Sequence, residues 1–259
     1  MELYLRRYTA LCFGVSFFTV TVLMWTRGTG RRIVERHLTS KRKSGSVDAA
    51  FHERASCNVS DLLKTLDLQS NLQFIHIPKT GGTTIEDLFQ GMNMSVGRFG
   101  VTYEVYPLRG CSKWHIPPLV SVKNSFTFVR DPYERLQSEF YWGHDLFEDS
   151  QSYPKNDTGF YQWAEYILKR AKFERTIRDC HMIPQHNFAK HAAMIFPMRC
   201  MEQVQIYFIQ RMKKLHGISH KTVHSNKVEY NANSTPPSAL LSSLHEFYAD
   251  DYRLYRMYF

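Results

Sequence analysis

The segment FIHIPKTGGTTIEDLF, residues 74–89, constrains the fold of this chain more than any other stretch. An apolar run ends at Pro78. Two adjacent glycines and two threonines follow, and then Ile85, Leu88 and Phe89 recur at intervals of three and four. That order reads as a strand, a tight turn and the start of a helix. Glycines at 81 and 82 let backbone N–H groups approach an anion, and the helix N-terminus beyond them favours negative charge. Thr83 and Thr84 add hydroxyl donors, and Lys79 adds a mobile positive charge. Lys79, Thr80, Gly81, Gly82, Thr83 and Thr84 are therefore the candidate anion-binding residues. A nucleoside-triphosphate loop ends in Gly-Lys-Ser/Thr, whereas here the Lys precedes the glycines, so the anion differs.

A second segment, FTFVRDPYERLQSEFYW at 126–142, repeats the strand-to-helix layout. Ser125–Val129 reads as a strand. Asp131 reads as a helix cap, with Pro132 at the first helical position and Glu134 three residues after the cap. Arg130 sits at the strand end, where its planar fork suits a phosphate. Ser138, seven residues after Asp131, lies about two turns on and shares a face with the helix start. Elsewhere, Gln73–Ile77 reads as a buried strand, Thr83–Gln90 as a helix and Ala193–Pro197 as a short strand. Phe160, Trp163, Ala164, Ile167, Leu168 and Ala171 form one apolar helical face, Glu202–Leu215 reads as a helix, and Leu241, Leu244, His245, Tyr248, Tyr252 and Tyr255 place a helix in the tail from about Ser238. Strands alternating with helices imply an α/β fold with a central, mainly parallel sheet flanked by helices, and ligands beyond the carboxyl ends of the strands. Lys79 and Arg130 both fall at such ends.

The formal charge of +9 is concentrated at the N-terminus, where residues 1–43 hold nine Lys/Arg against two Asp/Glu. The rest is nearly balanced, which argues against nucleic acid as a partner. Residues 8–26 carry no charged side chain and in a helix would reach ~28 Å, close to a bilayer core. The expected layout is a short tail at 1–7, a transmembrane signal-anchor at 8–26, a stem at 27–70 and a folded domain at 71–259. Lys/Arg flanking the C-terminal side of the anchor would place that side in the cytoplasm. Sequons at Asn58, Asn93, Asn156 and Asn233 and four cysteines beyond the anchor argue instead for a luminal domain. Cys57, Cys111, Cys180 and Cys200 allow three pairings. The one favoured joins Cys180 to Cys200 and leaves Cys57 with Cys111.

Taken together, the two anion motifs resemble those of the Golgi membrane-bound carbohydrate sulfotransferases. PKTGGTT is similar to that family's loop for the 5′-phosphosulfate of 3′-phosphoadenosine 5′-phosphosulfate (PAPS). R-D-P-Y-E-R-L-Q-S-E-F-Y resembles its 3′-phosphate motif, in the polysaccharide-modifying branch that includes the uronyl 2-O-sulfotransferases. Weaker likeness runs through H-M-I-P-Q (181–185), M-R-C-M-E (198–202) and F-Y-A-D-D-Y-R-L-Y in the tail. The resemblance implies a P-loop-NTPase-like sulfotransferase fold and a type II Golgi membrane protein with a luminal catalytic domain. It also implies PAPS as donor, a glycan or polysaccharide hydroxyl as acceptor, and no metal. Lys79 and the turn after it would hold the phosphosulfate, and Arg130 and Ser138 the 3′-phosphate. That branch places a histidine base between the two motifs, and residues 85–129 hold one histidine, His115. His115 with Lys79 is thus the expected catalytic pair. An imidazole titrating near 6.5 suits a base at Golgi pH. His76 reads as a core residue within its strand, and His181, His186 and His191 are five apart, out of line on a helix. The rival readings are a nucleotide-dependent phosphotransferase and a non-catalytic glycan-binding membrane protein.

Overall fold

The computed structural model describes Cys57, residues 59–225 and residues 235–258. The expected anchor at 8–26, the stem up to residue 56, and the sequons at Asn58 and Asn233 lie outside the described residues. Among the described residues no helix is long and apolar enough to cross a membrane. In chain order the elements are α1 (Ser60–Leu63), β1 (Gln73–Phe74), α2 (Gly82–Gly91), β2 (Val122–Val129), α3 (Pro132–Gly143), α4 (Glu148–Gln151), α5 (Asp157–Ala171), α6 (His186–Ala189), β3 (Ala192–Pro197), α7 (Met201–His216), α8 (Ser238–Phe247) and α9 (Ala249–Met257).

The three strands form a parallel sheet in the order β1-β2-β3. β2 lies in the middle, and its last five residues, Ser125–Val129, are all buried, as expected for a parallel strand covered on both faces. The β1 ladder covers only Gln73–Phe74, shorter than the Gln73–Ile77 strand expected. Its direction persists one residue further, because Ile75 donates its N–H to the Phe126 carbonyl at 2.9 Å and accepts from the Thr127 hydroxyl at 2.7 Å.

Alternation along the strands sorts the core. Phe74, Phe126, Phe128 and Phe196 face α2 and α7, against Ile85, Leu88, Phe89, Val204 and Phe208. Ile75, Ile77 and Val129 face the other way, with Phe188 of α6. Each of these large side chains contributes ~1.5–3 kcal/mol by leaving water. A third cluster packs the expected stripe of α5, centred on Trp163, against Leu136 and Phe140 of α3 and Leu240 and Leu244 of α8. Ordered core begins before residue 71, since Val59 and Leu63 are buried with Leu66 and Leu68. The tail is two helices rather than one. The chain breaks at Tyr248, where φ −109° and ψ 30° leave the helical region.

The favoured disulfide pairing is overturned. Cys57 bonds to Cys200 and Cys111 to Cys180, with Cα separations of 5.4 and 5.6 Å. The sheet itself is the reason. Cys200 and Cys57 pack with the phenylalanine face, while Cys180 and Cys111 pack with the isoleucine face, so Cys180 and Cys200 are partitioned by the strands. Each bridge closes a long loop and contributes ~2–4 kcal/mol.

Candidate active site

Adjacent parallel strands deliver Lys79 and Arg130 side by side, and the Arg130 Nη1 lies 3.5 Å from the Lys79 carbonyl. The turn between β1 and α2 needs two left-handed residues, Lys79 at φ 66° and Gly81 at φ 85°. Glycine takes that conformation freely, but lysine does so at a cost, and such strain collects at functional sites. Gly82 opens α2 against His76. A Cβ there would sit 2.5 Å from His76 Cε1, so only glycine fits. Behind the turn, buried Arg135 of α3 donates to the carbonyls of Pro78, His181 and Ile183, tying the strand exit to α3 and to the 181–183 segment.

Arg130 is placed by a relay that local sequence could not show. The Gln185 side chain accepts from the Arg130 N–H at 2.9 Å and donates to its carbonyl at 2.8 Å. The Gln185 and His186 N–H groups in turn donate to the buried carboxylate of Asp251 in α9. Asp131 caps α3 through the N–H groups of Tyr133 and Glu134, and this sets Ser138 two turns along the helix.

Lys79, Gly81, Gly82, Thr83, Thr84, Arg130, Ser138 and His115 all line one cleft of about 410 Å³. Thr80 does not line it. Its side chain is buried and donates to the Ile77 carbonyl at 2.9 Å. The Thr84 hydroxyl is shared with Ser225, donating to its carbonyl and accepting from its N–H, both at 3.2 Å. The Lys79 ammonium lies 4.0 Å over the Trp142 ring. Burial lowers its pKa to about 8; Glu139 opposes the shift, and Arg130 and Arg178 add to it. Lys79 thus stays mostly charged near neutrality while largely shielded from water.

Three histidines meet at the other side of the cleft. Each has its Nδ1 held by a carboxylate: His76 by Glu86 at 2.7 Å, His115 by Asp179 at 2.8 Å and His181 by Glu139 at 2.8 Å. The His115 ring lies edge-on to both others, with centroids 5.2 Å from His76 and 4.4 Å from His181. His76 is therefore a cleft residue and not simply part of the strand core. Burial and the two neighbouring imidazoles hold His115 well below the ordinary imidazole range, against the upward pull of Asp179. It stays neutral, in contrast to the value near 6.5 expected from sequence. A carboxylate only accepts, so the neutral ring donates from Nδ1 to Asp179 and keeps its lone pair on Nε2. Asp179 is itself fixed by the Ser112 N–H and hydroxyl. Although burial alone would raise the pKa of Glu139, His181, Arg178 and Lys79 together hold it down to about 2.

Asp179 sits in the run Arg178-Asp179-Cys180, three consecutive non-glycine residues at positive φ (52°, 54° and 66°). Arg178 pairs with Glu139, Asp179 with His115, and Cys180 with Cys111. The turn thus presents three neighbouring side chains to three separate partners. Sequence reasoning missed Asp179, His181, Glu139 and Gln185. The signals that could have found them are the H-M-I-P-Q stretch, which begins at His181 and ends at Gln185, and the R-D-P-Y-E-R-L-Q-S-E-F-Y motif, which contains Glu139.

A family model described as the sulfotransferase family matches residues 65–258, well over half the chain. The chain belongs to the sulfotransferase family. Neither the curated proteins nor the solved structures compared with it give a match. Membership in the sulfotransferase family makes the chain a transferase by type and implies a sulfuryl donor of the PAPS class. The donor set of the cleft fits such a group. A lysine and a helix N-terminus would suit one anionic group, and an arginine and a serine on the next strand and helix would suit another. The match covers both motifs and the Gln185–Asp251 relay.

Proposed function

We propose that the protein transfers a sulfuryl group from PAPS to a hydroxyl of a glycan or polysaccharide, as the uronyl 2-O-sulfotransferases do. The observation that carries this reading is the convergence of Lys79, Arg130, Ser138 and a carboxylate-held His115 in one cleft at the carboxyl ends of β1 and β2. PAPS, when bound, supplies the sulfuryl group and a phosphate leaving oxygen. Lys79 and the α2 N-terminus hold the phosphosulfate and neutralise charge growing on that oxygen. Arg130 and Ser138 hold the 3′-phosphate. His115 takes the acceptor proton at Nε2, and Asp179 stabilises the imidazolium that forms. Trp114, half-buried beside His115 with ring centroids 5.6 Å apart, offers a flat apolar face for a sugar ring.

The same proposal includes a single-pass type II Golgi protein anchored by residues 8–26, with its catalytic domain in the lumen. Two disulfides suit an oxidising compartment, and the sequons at Asn93 and Asn156 are exposed. The test is thermal stabilisation by adenosine 3′,5′-bisphosphate. At a hundredfold over Kd it should add ~2.7 kcal/mol, a rise in Tm of roughly 5–10 °C. Stabilisation by ATP with Mg²⁺ and not by the bisphosphate would point to a phosphotransferase. Glycan binding with no response to either nucleotide would point to a non-catalytic binding protein.

A further inference from the structure

His115, Asp179 and His181 each offer a donor atom, and those three atoms lie within 4.8 Å of one another. No two of them are neighbours on one turn of helix. His115 comes from the 113–115 turn, and the other two flank Cys180. The Cys111–Cys180 disulfide ties the two segments together. Two imidazoles and one carboxylate form a donor set of the zinc class, since imidazole favours zinc and its neighbours in the first transition row over magnesium or calcium.

The surroundings meet what such a site needs. His115 Nδ1 and Asp179 Oδ2 are 2.8 Å apart, close enough for both to bind one ion about 2.0–2.2 Å from each. His181 has its Nδ1 held by Glu139 at 2.8 Å, which leaves Nε2 as its coordinating atom and fixes the ring. Glu139 is in turn held by Arg178, so this outer support is complete. His115 and His181 line the open cleft, which gives an ion a way in and leaves a coordination position for water.

We infer that His115, Asp179 and His181 form a binding site for a divalent transition-metal ion, zinc best of all. In this site the ion takes the place of the proton between His115 and Asp179. Where His115 is the base, an occupied site is an inhibited enzyme; that consequence rests on the proposed function, but metal binding does not.

Isothermal titration of the intact protein with ZnCl₂ separates the two. The expected result is one saturable site per chain. Asp179→Asn and His181→Gln, both close in shape to the originals, should each weaken it at least about tenfold. His224→Gln, an exposed histidine of the same cleft, should leave it in place. Absence of saturable binding, or binding indifferent to Asp179→Asn and His181→Gln, overturns the site. Zinc that binds at this site without lowering sulfuryl transfer would retain the site and remove His115 from the role of base.

Discussion

Replacing Arg130 by alanine should weaken nucleotide binding while leaving the fold in place, because the structure separates the two effects. The Arg130 side chain is only 15% exposed, so a phosphate paired with it is poorly screened, and losing one charge-assisted contact costs ~1.5–3 kcal/mol. At ~1.4 kcal/mol per decade this is roughly a 10- to 150-fold rise in Kd for adenosine 3′,5′-bisphosphate. The fold loses little. Glu134, an ion-pair partner at 3.3 Å, is 56% exposed and returns to water, a loss of ~1 kcal/mol or less, and the contact with the Lys79 carbonyl is long at 3.5 Å. The Gln185 clamp grips the Arg130 backbone, which alanine retains. Titration calorimetry should show the loss for the bisphosphate and a much smaller one for adenosine 5′-phosphate, which lacks the 3′ group. Equal losses for both nucleotides would refute the assignment of Arg130 to the 3′-phosphate. A Tm fall beyond about 4 °C would refute the claim that fold and binding separate here.

Three further outcomes follow from the same geometry. Lys79 is charged below its pKa of about 8 and neutral above it, so bisphosphate affinity should fall as pH rises from 7 to 9, and calorimetry across that range should show no such fall in Lys79→Ala. Gly82→Ala would place a Cβ 2.5 Å from the His76 ring, itself pinned by Glu86, and the crowding should cost ~1–3 kcal/mol, read as a lower melting temperature or a weakened bisphosphate site; wild-type values in both would contradict the tight turn. His115→Ala should lower turnover by about 10²–10⁴-fold with bisphosphate affinity nearly unchanged, and unchanged turnover would move the base to another residue.

The parts of the fold legible in the sequence were those whose causes are local. Gly81, Gly82 and the spacing of Ile85, Leu88 and Phe89 specify a turn and a helix within ten residues. Asp131 and Pro132 announce α3, and the α5 stripe declares its own buried face. The meeting of Lys79 and Arg130 was also accessible, because parallel strands must put their carboxyl ends together. What could not be read depends on contacts far apart in the chain. Asp179 reaches His115 across 64 positions, and Glu139 reaches His181 across 42. The cysteine pairing follows from which face of the sheet each cysteine packs against, and spacing along the chain does not reveal that. The neutral state of His115 likewise comes from burial and from two imidazoles brought beside it by other elements. Thr80 was misleading because its hydroxyl satisfies the Ile77 carbonyl inside the turn.

Transfer of labelled sulfate from PAPS across a panel of glycans is the most direct test of the central claim. The predicted result is label on a hydroxyl of at least one uronic-acid-containing polysaccharide, lost in Lys79→Ala and in His115→Ala. A protein that binds adenosine 3′,5′-bisphosphate yet transfers no sulfate to any glycan in the panel would contradict it.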